Sequence, residues 1–264
     1  MQIKEVAFSF FIIFTAPQFW SQNPTLNKTG KDNTEARAAH KVLIIPFEPR
    51  LYMGEIDRQI NLETNLSAKE IRFKFRDGLN DQIYKAFRSA KFGALDLMED
   101  TLKYKKDLTD IYQYLSYDYL KVPDQKNYKP PVREKESKKV EKGQLNVETN
   151  SDARFMNARI TNPKVMSALS TKYRSDLFIF INQLDIKASG SKDPLYLGPE
   201  SENRRITVHY TIINSQGKEI NSGLVEEEFD PSLNNPKKIV DKHFSRIALT
   251  LVERVNKQLS IPSK

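Results

Sequence analysis

The sequence predicts a mixed α/β (α+β) domain: a single twisted sheet of about five strands, with a C-terminal antiparallel hairpin, covered by helices. Three observations carry this. Val42-Leu43-Ile44-Ile45-Pro46-Phe47 is a compact apolar run of the kind a buried central strand shows. A capped helix with one apolar stripe follows it. Near the C-terminal end, Arg205 to Ile212 alternates strictly, and the chain returns after Asn214-Ser215-Gln216-Gly217 as a hairpin partner.

Taken in order, the first strand must finish around Pro46, because proline cannot donate to a ladder. Glu48 to Asn65 then reads as a polar connection. Ser67-Ala68-Lys69-Glu70 is a capping box, and Leu66 with Ile71 forms its hydrophobic staple. Ile71, Phe75, Leu79, Ile83 and Phe87 recur every four residues and give the stripe that packs on the sheet. Leu95 and Leu97 alternate in a short second strand over Ala94 to Met98. From Thr101 to Leu120 the spacing is read as helical, with Leu108, Ile111, Tyr112, Leu115 and Tyr119 on one face. The many tyrosines here read as amphipathic packing with hydroxyls at the wet edge.

Lys121 to about Ile160 is predicted to be a charged, proline-containing insertion. Asn162-Pro163 then caps a short helix to about Tyr173. Leu177-Phe178-Ile179-Phe180-Ile181 is a buried strand fading into Asn182 to Lys187. In the hairpin, Ile206, Val208, Tyr210 and Ile212 face the core, with Thr207, His209 and Thr211 on a wet side and Gly223 as a bulge. Asn235-Pro236 starts the last helix, whose stripe is Val240, Phe244, Ile247, Ala248, Leu251 and Val255.

The 264 residues, 39% apolar and 29% charged, suffice for one domain with a real core at about 41–260. With no cysteine, thiol nucleophiles, Cys-ligated zinc and acylated lipoprotein anchors are excluded. Residues 1–21 read as a signal peptide. Lys4 precedes an apolar run from Val6 to Ala16 that covers roughly 16 Å of helix, about half a bilayer core. Residues 22–40 read as a flexible tether, so the expected location is outside the cytosol, in the periplasm or secreted, with no transmembrane segment in the mature chain.

The net charge of +8 is concentrated locally: Lys121 to Lys142 holds eight bases and four acids. These charges alternate and lack interleaved aromatics apart from Tyr128, which argues for a solvated loop and against nucleic acid as partner. Lys126, Lys129, Arg133, Lys135, Lys138 and Lys139 are the candidate contacts for an anionic glycan, lipid headgroup or acidic protein.

The strand Lys41 to Pro49, the passage Leu169 to Leu177 and the hairpin Ile206 to Gly223 resemble a periplasmic α/β fold of envelope-assembly factors. That group includes the soluble domain of the curli secretion channel, the N-terminal domain of the Tol-system propeller protein, and lipoprotein activators of penicillin-binding proteins. The turn Ser215-Gln216-Gly217-Lys218-Glu219-Ile220 is similar to that family's turn. The likeness covers about half of the chain; the lipoprotein cysteine is missing, and Lys121 to Ile160 has no counterpart. What the resemblance implies is a binding or assembly module of the bacterial envelope rather than an enzyme.

Phosphate-binding loops, nucleotide turns, nucleophile elbows, zinc-protease helices and EF-hand loops are all missing from the sequence. It therefore implies neither a catalytic residue nor a metal nor a cofactor. His40, His209 and His243 have no second ligand at metal spacing. Ser189 to Lys192 and Ser215 to Lys218 match the penicillin-binding S-x-x-K only in turns. Glu226-Glu227-Glu228 reads as protection of an edge strand. The candidate partner-binding residues are Tyr52, Met53, Glu55, Asp57 and Arg58, in the connection after the first strand, where open α/β sheets gather ligands. The expected function is an exported, non-catalytic module acting by protein–protein contact. An envelope polysaccharide-binding protein or glycan hydrolase is the alternative.

Overall fold

The computed structural model describes residues 37–133, 153–190 and 203–260. Residues 1–36, with the signal segment and most of the tether, lie outside these, as do Lys135, Lys138, Lys139 and Lys192.

The main sheet has the order β3-β1-β6-β7-β8. β1 (Lys41–Ile45) lies between β3 (Gly93–Asp96) and β6 (Leu177–Lys187), parallel to both. β6, β7 (Arg204–Asn214) and β8 (Glu219–Phe229) then run antiparallel. This is the expected mixed α/β architecture, extended by a sixth strand. β2 (Tyr52–Gly54) pairs with Leu184 to Ile186 of β6, continuing the track of β1 after a break. The stretch from Glu48 to Asn65 is thus no plain connection, since it also carries helix α1 (Asp57–Thr64).

One face of the sheet is covered by α2 (Ala68–Ser89) and by the C-terminal helix, where α5 (Pro236–Ile239), a π-helical turn (Val240–Phe244) and α6 (Ser245–Leu259) follow without a break. The capping box of α2 forms as the sequence indicates: Ser67 N–H donates to Glu70 Oε2 at 2.8 Å, and Glu70 N–H to Ser67 Oγ at 3.3 Å. Ile71, Phe75, Leu79, Ile83 and Phe87 are fully buried against Val42, Ile44, Ile179, Val208 and Tyr210. Gly78 lets the π-helical turn approach closely, because a Cβ there would sit 2.6 Å from Val240 Cγ2. Asn162 and Asn235 cap α4 (Pro163–Tyr173) and α5 by accepting the N–H of Lys164 and Lys238.

On the other face lie α3 (Lys105–Gln113), α4 and a two-stranded ribbon, and here the structure departs from the pattern. The helix expected to reach Leu120 ends at Gln113, and Leu115–Lys121 is strand β4. Leu115, Tyr117 and Tyr119 alternate with Ser116 and Asp118, and tyrosine suits a pleated, half-buried surface. β4 pairs antiparallel with β5 (Arg154–Ile160), which lies inside the stretch expected as insertion. The charged segment is therefore the connection between two paired strands.

Two irregularities also shift. β6 does not fade after Ile181: it runs to Lys187 through a bulge at Asn182, which keeps Leu184 and Ile186 on the helix face with Ile179 and Ile181. In β8 the bulge is at Ile220, between Asn221 and Glu219, whereas Gly223 stays in register opposite Tyr210.

Candidate functional site

Of the five residues proposed after the first strand, Tyr52, Glu55 and Asp57 are tied into the fold. Tyr52 OH donates to Asp57 Oδ1 at 2.5 Å, over Gly54, where a Cβ would lie 2.3 Å from both oxygens. Burial, then the bond to Asp57, pushes the Tyr52 hydroxyl far above its ordinary value, and burial raises Asp57 against that bond. Glu55 accepts the Ala188 N–H at 3.0 Å and pairs with Lys187 at 3.2 Å, so it ties β2 to the end of β6. Met53 (54% exposed), Glu55 and Arg58 lie at the surface.

The described start of the basic segment is held to the fold at Gln125, Tyr128 and Arg133. Arg133 donates to Asp118 Oδ2 at 3.0 Å and to Asn157 Oδ1, and lies 3.7 Å from Glu219. Gln125 Nε2 donates to Ser222 O at 2.8 Å, and Tyr128 OH to Glu219 Oε1 at 2.6 Å. Lys257 donates to the carbonyls of Gln125 and Lys126. The segment thereby covers the Glu219 to Gly223 end of the β8 edge. Gly223, at φ 145°, makes room, since a Cβ there would meet Gln125 Nε2 at 2.8 Å. Lys126 and Lys129 are exposed.

Thr207, His209 and Thr211 do not face water as the alternation suggests. All three are buried, and the ribbon stands on His209 and Thr211. Met156 N–H donates to His209 Nδ1 and Ala158 N–H to Thr211 Oγ1, each at 2.9 Å, while Asn182 Nδ2 donates to Met156 O at 2.7 Å. Sheet side chains thus satisfy the backbone of β5 on the edge that β4 leaves unpaired. With its Nδ1 lone pair occupied, His209 carries its ring proton on Nε2, 3.5 Å from Asp185 Oδ2. The other histidines are paired as well, His40 with Asp176 and His243 with Glu227. Among the described residues, no three His, Cys, Asp or Glu side chains meet in a way that could hold a metal.

Tyr112, Tyr117 and Tyr119 likewise use their hydroxyls internally. Tyr112 OH donates to Pro46 O at 2.7 Å and accepts from Arg76 Nη2 at 2.9 Å; burial pushes it up to about 12. Tyr117 and Tyr119 reach Glu48 and Gln183. On the helix face, burial raises the Asp96 carboxyl to about 6, against hydrogen bonds from Asn80 Nδ2 (2.7 Å) and Met98 N–H (2.9 Å).

A cleft that the sequence reading missed opens where the parallel strands begin. Its volume is about 350 Å³, and Lys41, Lys103, Lys172 and Arg174 line it with Tyr104, Tyr173 and Asp107. Asp107 accepts from Lys172 Nζ at 2.7 Å on each oxygen and from Tyr173 OH. Burial opposes its ionisation, but these bonds outweigh that and hold it below the ordinary carboxylate value. Tyr104 and Tyr173 pack edge to face at 5.9 Å, with Lys103 Nζ 5.0 Å above the Tyr104 ring. These residues come from the start of β1, the approach to α3 and the end of α4. No local spacing links them; the one signal in the chain is the Tyr-Arg pair closing a helix.

No protein-family model matches the chain, and no curated protein is similar enough to it to count as a relative.

Proposed function

We propose that this protein is an exported module of the bacterial cell envelope that works by binding a protein partner rather than by catalysis. The observation that carries the reading is the cleft at the start of the parallel strands. There Lys41, Lys103 and Arg174 surround a pair of tyrosines, and the single carboxylate, Asp107, is already engaged by Lys172. Convergent cations on an aromatic wall recognise a surface, and aromatic and basic residues are the groups that anchor interfaces. The internal use of the histidines and of the tyrosine hydroxyls agrees with this: these groups hold the ribbon and strands in place. The leader-like segment at residues 1–21 and the resemblance to envelope-assembly domains supply the location.

The test is crosslinking in cells followed by affinity capture of the tagged protein from solubilised envelopes. A stoichiometric envelope protein is the expected catch; a clean monomer would overturn the reading. Retention on purified cell-wall polysaccharide that weakens with salt, with no captured protein, would favour the glycan-binding alternative.

A further inference from the structure

The cleft does not end at the Lys172–Asp107 bridge. Beyond it, a groove of about 320 Å³ continues between α3 and α4, floored by Ile111, Val165, Ala168 and Leu169, with Lys164 and Asp110, itself paired with Lys106, also in its lining. Its two compartments differ in chemistry: three cations without a carboxylate partner among the described residues at one end, an apolar floor at the other. An inorganic anion would use only the first. The eleven residues of α4 extend about 16 Å, the reach of roughly five residues of extended chain.

A second observation concerns Arg174. It caps α4 in the left-handed region, φ 52° and ψ 42°, where glycine sits without strain. A long cation is held there against its backbone preference, at the mouth of the cleft. Lys91, at φ 71°, occupies the same backbone region just before β3, at the same end of the sheet.

We infer that this groove receives an acidic peptide segment of the partner, about five residues long, with an apolar side chain between α3 and α4 and carboxylates against Lys41, Lys103 and Arg174. The inference rests on the contact reading above and names the chemistry of that contact.

The probe is a fluorescein-labelled acidic hexapeptide with a central Leu-Phe pair, followed by anisotropy against the full chain. Binding at low ionic strength should weaken as salt rises. The triple variant Lys41→Glu, Lys103→Glu, Arg174→Glu should lose roughly tenfold or more in affinity, since three partly exposed pairs are removed. Ala168→Trp, on an exposed position of α4, should block the apolar compartment and also weaken binding while the circular dichroism is unchanged. Arg174→Gly separates binding from folding: the thermal midpoint should rise as the backbone strain is relieved, while affinity falls.

Equal binding of the peptide with its carboxylates amidated would overturn the inference, as would indifference to both Ala168→Trp and the charge reversal. So would a preference for phosphatidylglycerol vesicles or an anionic polysaccharide over the peptide. If the triple variant still captures the wild-type partner from envelopes, the groove assignment fails and the contact reading stands. If neither protein captures anything, the contact reading itself fails.

Discussion

The two faces of the main sheet are buried by different means. The helix face is a continuous apolar core in which Phe75 packs between Tyr52 and Phe244, with ring centroids 6.2 and 5.7 Å away. Toward β3, the other face has its own apolar cluster, with Leu43, Phe178 and Phe180 under α3 and α4. Toward β7, it changes to polar side chains, of which Asn182, His209 and Thr211 hold the ribbon by directed hydrogen bonds. Apolar packing is non-directional and tolerates small shifts, whereas each bond of the polar layer is made or lost at a particular atom. The difference teaches that one face supplies most of the stability and the other supplies position, by fixing where the ribbon lies.

The largest effect should come from Phe75→Ala, which empties a fully buried site on the helix face and should cost about 3–5 kcal/mol. Urea denaturation measures it; a loss near 1 kcal/mol would mean that this face is not one close-packed core.

Asp96 is the exception on that face, and its effect should come next. Its carboxyl titrates near 6 when folded, above its ordinary value of 3.8, so the folded state keeps a proton that the unfolded chain has released. Stability from this group is therefore full below about pH 4 and falls as pH rises to about 6, by a maximum of roughly 3 kcal/mol. Asp96→Asn retains an oxygen for the Asn80 amide and the Met98 N–H and should remove this fall. The stability difference between variant and wild type should grow in the variant's favour between pH 4 and 6.5; a pH-independent difference would place the carboxyl's titration outside this window.

On the polar face, Thr211→Val keeps shape but leaves the buried Ala158 N–H without an acceptor, at about 1–2 kcal/mol. Amide exchange at Ala158 should accelerate more than exchange in α2. If the two change equally, the ribbon and the helix face open as one unit rather than as the two regions described here.

How much of this was legible follows from where the forces act. Much of the helix face was readable because its contributors sit in local periods: four-residue spacing in α2, and alternation in β7 against the same core. The ends of α2, α4 and α5 were readable because their caps are made by residues within a turn of each helix start. β4 was not, since its tyrosines fit a helical face and a pleat equally well; pairing with β5, 33 positions on at the closest, decided between them. The polar layer was hidden for a related reason. Thr207, His209 and Thr211 carry the alternation of a solvent face, and nothing local announces that a ribbon will cover it.

The candidate sites follow the same rule. Tyr52 and Asp57, five positions apart, stood out as partner contacts, and the fold bonds them to each other between β2 and α1. Arg133 looked available because Asn157 and Glu219 are distant in the chain. The basic cleft draws on Lys41, Lys103 and Arg174, which only the folded chain assembles. By itself, then, the sequence determined the fold class, the strong helices and the apolar face, because periodicity and capping act within a few residues. The tertiary structure alone decided the second strand pair, the buried polar layer and the cleft. Those depend on partners tens of residues apart, whose meeting is set by the register of strands and the packing of helices rather than by any local preference.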